Sequence, residues 1–215
     1  MTKTLAKEKI KRKFQHPLMV AIKVLGPGKI LSQASGLIDD WFTNDGQITK
    51  QPVRALTLSA LAPQKGQHLW DLGSGSGSIA IEWLLSGPSM KATAVEKNSI
   101  RAENINLNAA KLGVDWIKVI ESDMMDALNK LDRPDAVFIG GGFSAELFAK
   151  IWEIIPVGTR VVVNGVTIET DHLIIDCAER FGGQLLRFEY SQPKKIGGKS
   201  SWKASYPITQ WVVVR

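Results

Sequence analysis

His68-Leu69-Trp70-Asp71-Leu72-Gly73-Ser74-Gly75-Ser76-Gly77-Ser78 decides how this chain is read. A short apolar run ends on a carboxylate, Asp71, and passes into three glycines at alternate positions. It leaves through Ile79-Ala80-Ile81-Glu82-Trp83-Leu84-Leu85, which has the composition of a helix. Strand, tight glycine turn and helix together make the first unit of a nucleotide-binding α/β sheet. Gly73, Gly75 and Gly77 lack a Cβ, so the turn can take positive φ and a ligand can lie against bare backbone. The free N–H groups at the helix start would face that ligand.

Two details narrow the ligand. A dinucleotide fingerprint needs a third glycine where Ser78 stands. Asp71 lies two residues before the first glycine, where its charge would oppose a pyrophosphate. S-adenosylmethionine (SAM) suits the site better, because it carries an ammonium, a sulfonium and a ribose diol but no phosphate. A second carboxylate, Glu96, ends the run Ala92-Thr93-Ala94-Val95 about 20 residues after the glycines, the spacing that sets an acid on ribose hydroxyls.

The chain has 215 residues, 44% of them apolar, enough for one domain with an extension. Its one cysteine, Cys177, excludes an internal disulfide and agrees with a cytoplasmic setting. No apolar run reaches the roughly 18 residues of a membrane span. His16, His68 and His172 form no ligand spacing with Cys177, so no metal site is read. The net charge of +6 is concentrated at one end. Residues 1–30 hold eight basic residues and one acid, Glu8, leaving 19 basic against 20 acidic residues elsewhere. A near-neutral body argues against nucleic acid as partner. Residues 1–35 are read as a basic arm or linker and 36–215 as the domain. Lys23 interrupts Leu18-Met19-Val20-Ala21-Ile22 and no cleavage site follows, so a signal peptide is rejected.

In order, the sequence predicts a loop over 36–50 and a helix at 51–61, with Thr49 as a candidate cap and Pro52 in its first turn. After the glycine unit come a strand at 91–96, a helix capped by Asn98 and stopped by Gly113, and a strand over 116–121. A strand at 136–139 then runs into Gly140-Gly141-Gly142. A helix at 144–154, a strand at 160–164 and a helix at 168–181 follow, the last ending at Gly182-Gly183. Two final strands, 184–191 and 207–214, flank a loop from Gln192 to Tyr206. Alternating strands and helices imply a parallel sheet. The last two strands lack a helix between them and should close it as an antiparallel hairpin. The expected fold is the Rossmann-like, seven-stranded, mostly parallel α/β fold of class I SAM-dependent methyltransferases.

With the strands placed, the sequence resembles the precorrin methyltransferase/decarboxylase family of cobalamin synthesis, from about Gly36 to Arg215. The carriers are Asp45-Gly46-Gln47-Ile48-Thr49-Lys50 with Arg54, the stretch Leu69 to Ser78, and Val95-Glu96-Lys97-Asn98. Ala136 to Gly141, Asn164 to Thr170 and Ile196-Gly197-Gly198 complete them. The resemblance implies methylation of carbon 15 of a precorrin and decarboxylation of its ring C acetate. It also implies a homo-oligomer, a tetramer in the family, and cooperation with a C5-methyltransferase domain. By position it implies Thr49, Gly73 to Gly77, Glu96 and Met124 as SAM contacts. Phe143 departs from the family's longer glycine run, and residues 1–35 have no counterpart in the stand-alone enzymes.

The candidate cofactor residues are therefore Thr49, Asp71, Gly73, Ser74, Gly75, Ser76, Gly77, Glu96, Asp123 and Met124. Asp71 either contacts the methionine end of SAM or only caps the turn. Met124 is expected to pack on adenine, with Asp123 near the exocyclic amine. Candidate substrate residues are Lys50, Arg54, Gly141, Asn164, Lys194, Lys195 and Lys199. Lysines 194, 195, 199 and 203 sit in an acid-free loop, either as a solvated flap or as partners for tetrapyrrole carboxylates. No catalytic base is expected, because an electron-rich macrocycle can supply the electrons and the protein need only hold the groups in line. The rival readings are a methyltransferase of tRNA or another small molecule, and a non-catalytic SAM-binding module.

Overall fold

The computed structural model describes residues 30–215, of which 32–215 form one compact unit. The reading of a basic N-terminal arm falls largely on residues 1–29, outside the described residues.

Helix α1 (Gln51–Leu61) is followed by β1 (His68–Leu72), α2 (Ser78–Leu85), β2 (Lys91–Glu96), α3 (Ser99–Leu112) and β3 (Lys118–Glu121). Next come the short α4 (Met124–Ala127), β4 (Ala136–Ile139), α5 (Ala145–Ile154), β5 (Arg160–Gly165) and α6 (Ile168–Phe181). The chain ends with β6 (Gln184–Phe188), β7 (Ser191–Ile196), β8 (Lys199–Ala204) and β9 (Ile208–Val214). Seven strands form one sheet in the order β3-β2-β1-β4-β5-β9-β6. The first five are parallel, and β9 runs antiparallel to both β5 and β6. β1 lies in the sheet interior with both neighbours parallel, buried along its whole length, as a strand covered on two faces must be.

Side chains alternate across the sheet. Trp70 and Leu72 of β1 join Val137, Ile139, Val161, Val163 and Trp211 in a core closed by α5 and α6. Phe148 sits at its middle, with ring centroids 5.0 Å from Trp211 and 5.1 Å from Phe181. Phe143, the departure from the glycine run, is buried here and packs 6.0 Å from Phe148. Helix ends follow local chemistry. The Asn98 side chain accepts from Arg101 N, and Gly113 stops α3 with φ 74°, a conformation glycine takes without strain.

Three expectations need correction. Thr49 does not cap α1. Lys50 holds that position without a side-chain bond, and the Thr49 carbonyl accepts instead from Arg54 Nη1. The third strand begins at Lys118, because the Trp116 indole N–H turns back to the Met90 carbonyl. The segment 192–206 is not a loop but most of a second, two-stranded sheet. Pairing of Ile196 with Lys199 leaves Gly197-Gly198 as a two-residue turn, with Gly197 at φ 57°, a geometry that favours a tight hairpin.

Candidate active site

The carboxyl ends of β1, β2, β4 and β5 open into a cleft of about 830 Å³, where ligands of open α/β sheets bind. Gly73, Ser74 and Gly75 form one wall, with Val95 and Glu96 beside them. Ser122, Asp123 and Met124 follow, and Gly140 to Gly142 and Asn164 lie opposite. Residues 46–50 line it from the segment before α1, and Tyr190, Lys203, Ser205 and Tyr206 from the base of the β7–β8 hairpin.

The glycine turn is tied to β2. The N–H groups of Gly73 and Ser74 both donate to the Val95 carbonyl, at 2.9 and 3.0 Å. The Gly75 N–H donates to Glu96 Oε2 at 2.9 Å, and Asn98 N–H to Oε1 at 3.0 Å. Each carboxylate oxygen keeps acceptor capacity for a further donor, and Glu96 lines the cleft. Bare backbone is required on this wall. A Cβ on Gly73 would approach the Gly141 carbonyl oxygen to 3.1 Å, and one on Gly75 the Gln47 carbonyl oxygen to 3.3 Å, both at positive φ. Bare glycine backbone that a ligand can approach closely, an acceptor at the end of β2 and the thioether of Met124 make a set that fits SAM.

Asp71 does not reach the cleft. It is 1% exposed, and its Oδ2 accepts from Ser74 Oγ at 2.6 Å and Ala80 N at 3.1 Å. The capping alternative therefore describes its contacts. Burial pushes its carboxyl up to about 6, partly offset by those two hydrogen bonds and reinforced by the Glu96 charge. The proton is thus held more tightly in the folded than in the unfolded chain. Stability from this group is fully present below about pH 4 and is lost as pH rises through about 6. The loss is on the order of 3 kcal/mol for a shift of about two units. Asp71→Asn should gain on the wild type by a few kcal/mol between pH 4 and pH 7, as read by urea unfolding at both. A constant difference would show that Asp71 keeps its ordinary titration.

The other candidates divide. Ser76 is buried behind the turn. Gly77 caps α2 against Ile105, where a Cβ would come within 2.8 Å. Neither lines the cleft. Asp123 lines it while its Oδ1 caps α4 through Met125 N. Met124 lines it beside Gly142, and Gly141 stands open and exposed there. Thr49 and Lys50 line it too. Asn164 lines it with its amide held by neighbours, Nδ2 donating to Thr57 Oγ1 at 2.8 Å and Oδ1 accepting from Gln210 Nε2 at 3.0 Å.

Arg54 does not line the cleft. It is wholly buried, and its Nε meets Glu82 Oε1 at 2.5 Å. Lys194, Lys195 and Lys199 are also outside the cleft, on exposed parts of the hairpin near its turn. Only Lys203, four residues closer to the base than Lys199 and about 13 Å along the strand, lines it. Sequence reasoning passed over Gln47, Lys97, Arg101, Tyr190 and Tyr206. The last two had a signal: they are the chain's only tyrosines and bracket the hairpin. Burial, with the Asp39 charge, raises the Tyr190 hydroxyl above its ordinary range, so it stays a neutral donor at pH 7.

Sheet order, glycine turn and acidic β2 end define a class I SAM-dependent methyltransferase fold. The profile of the precorrin methyltransferase domain family matches residues 40–215. The chain belongs to that family. It is 46% identical over 200 residues to a Sinorhizobium protein named precorrin-6Y C(5,15)-methyltransferase [decarboxylating], covering 91% of this chain and 48% of that one. A Pyrobaculum aerophilum protein, named "probable cobalt-precorrin-6B C(15)-methyltransferase (decarboxylating)", is 36% identical over 170 residues, 75% of this chain and 85% of its own. The crystal structure of the C-terminal domain of precorrin-6Y C5,15-methyltransferase from Rhodobacter capsulatus superposes with a TM-score of 0.83 at 44% identity. It covers 86% of this chain and all of that domain. The chain thus spans about half the length of the Sinorhizobium relative.

Proposed function

We propose that this chain transfers a methyl group from SAM to carbon 15 of a precorrin and promotes loss of the ring C acetate carboxyl, a step of cobalamin synthesis. The observation that carries the reading is one cleft in which the glycine cradle and Glu96 are continuous with Lys50, Lys203, Tyr190 and Tyr206. SAM supplies an electrophilic methyl group. Gly73 to Gly75 and Glu96 hold the nucleoside end, with Met124 against the base and Asp123 beside it. Lys50 and Lys203 receive carboxylates of the macrocycle, while the tyrosines present apolar faces to it and exclude water. Among the described cleft residues there is no histidine, and the two carboxylates, Glu96 and Asp123, already accept from backbone N–H groups. A substrate that carries its own electron density needs orientation more than a base. The electrons left by carbon dioxide pass into the conjugated ring.

The relatives' names and the double length of the Sinorhizobium protein support a C5-methyltransferase domain as partner. Half-exposed Leu185 and Leu186 on edge strand β6, apolar surface that a second copy would cover, support a homo-oligomer. Among the described residues no helix is long and apolar enough to cross a membrane. The single cysteine suits a reducing compartment, and on that ground we place the protein in the cytoplasm.

Lys203→Gln should weaken precorrin binding several-fold at low salt and leave SAM affinity alone. The triple change of Lys194, Lys195 and Lys199 to Gln should do less. The Lys203 effect should shrink as salt rises, since exposed charges are screened over about 10 Å at 0.1 M. Equal effects of the two variants in a fluorescence titration would remove the distinction between hairpin base and tip.

Incubation with labelled SAM and either precorrin-6B or bulk tRNA tests the reading. Label in the tetrapyrrole alone supports it. Label in tRNA would favour the nucleic-acid alternative, and label in neither would favour a binding module.

A further inference from the structure

The segment before α1 reaches the cleft from outside the sheet, yet its attachments are buried. Glu82, in the middle of α2 and 6% exposed, accepts from the Gly36 N–H at 2.6 Å and the Leu37 N–H at 2.9 Å. Arg54 faces the same carboxylate and spends its remaining donors on this segment. Nη1 reaches the Thr49 carbonyl, and Nη2 reaches the Leu37 carbonyl and Asp39 Oδ1, the latter at 3.1 Å. Its guanidinium also lies 4.8 Å from the Phe42 ring centroid. A second anchor sits on α3. Asn108, fully buried, accepts from the Thr43 N–H at 2.7 Å and donates back to the Thr43 carbonyl at 2.9 Å. The same Nδ2 donates to the Ser76 carbonyl, inside the glycine turn, at 3.0 Å. Between the anchors the segment carries Gly46 to Lys50 into the cleft wall, with the Gln47 carbonyl above Gly75.

A buried ion pair is tolerable only when its hydrogen-bonding capacity is met. Here most of that capacity is met by the strap, residues 36–50. Lifting the strap would strip Glu82 of two donors and Arg54 of three acceptors while both charges stayed inside the fold. The strap is therefore costly to open and behaves as a fixed wall, not a lid.

We infer that Arg54, Glu82 and Asn108 are positioning residues that hold the 36–50 strap against the glycine turn before any ligand arrives, so that the cofactor half of the cleft is built in advance. The inference rests on the SAM reading for its ligand, but not for its geometry. Such a wall removes the ordering cost that a mobile loop would take from affinity.

The test uses the full chain, S-adenosylhomocysteine as probe and amide exchange without ligand. In the wild type, the amides of Gly36, Leu37 and Thr43 should exchange as slowly as those of α2. The double variant Arg54→Met with Glu82→Leu replaces the pair by apolar groups and should melt cooperatively. Its strap amides should exchange at least tenfold faster while the sheet amides do not change, and S-adenosylhomocysteine should bind at least tenfold more weakly. Should that variant fail to fold, Asn108→Ala decides, with the same local loosening around Thr43 and weaker binding. A simply structural role would lower the melting temperature without confining faster exchange to the strap. Wild-type exchange and affinity in a folded variant would overturn the inference, as would fast exchange of these amides in the wild type. Failure of the wild type to bind the probe, with the strap amides still protected, would instead overturn the SAM reading.

Discussion

Glu96→Ala should lower the affinity for S-adenosylhomocysteine by on the order of 10- to 100-fold. The carboxylate accepts from Gly75 N–H and Asn98 N–H, and in the proposed complex it also takes the ribose diol. A charge-assisted interaction of this kind is worth about 1.5–3 kcal/mol in all, which converts to a loss of that size. Loss of the Gly75 contact would also loosen the turn, so the effect combines a missing ligand bond with a less defined cradle. Glu96→Gln keeps the length and one acceptor and should fall between the two. Calorimetry of all three proteins checks the order, and unchanged affinity in the alanine variant would remove Glu96 from the site.

Arg54→Met alone should lower the unfolding free energy by about 3–5 kcal/mol, because it leaves the Glu82 carboxylate inside the fold without its cation. Urea unfolding followed by circular dichroism measures this directly. A substrate contact would behave in the opposite way, with stability near wild type and a raised KM for the tetrapyrrole. The burial of Arg54, 0% exposed, and its 2.5 Å approach to Glu82 are the grounds for expecting the first pattern.

What was legible in the sequence was mostly local. The β1–turn–α2 unit, the Asn98 cap, the Gly113 stop and the final antiparallel pair each follow from patterns within one contiguous stretch of chain. Glu96 was legible because it ends a strand beside the glycines, and neighbouring parallel strands bring their carboxyl ends together. Arg54 was misplaced because its partner lies 28 residues away on another helix, and no local pattern marks a long-range ion pair. Asp71 looks the same in sequence whether its carboxylate turns toward the ligand or toward the start of α2. Only the path of the turn, which brings Ala80 N and Ser74 Oγ onto one oxygen, separates the two. The four hairpin lysines were equivalent until register and distance from the base distinguished Lys203 from the rest.

Reaction of the purified chain with SAM and precorrin-6B, followed by mass spectrometry of the tetrapyrrole, tests the proposed activity most directly. The expected product has gained one methyl group and lost one carboxyl as carbon dioxide, with S-adenosylhomocysteine formed in equal amount. An unchanged tetrapyrrole, from a protein shown by calorimetry to bind SAM, would contradict the proposal.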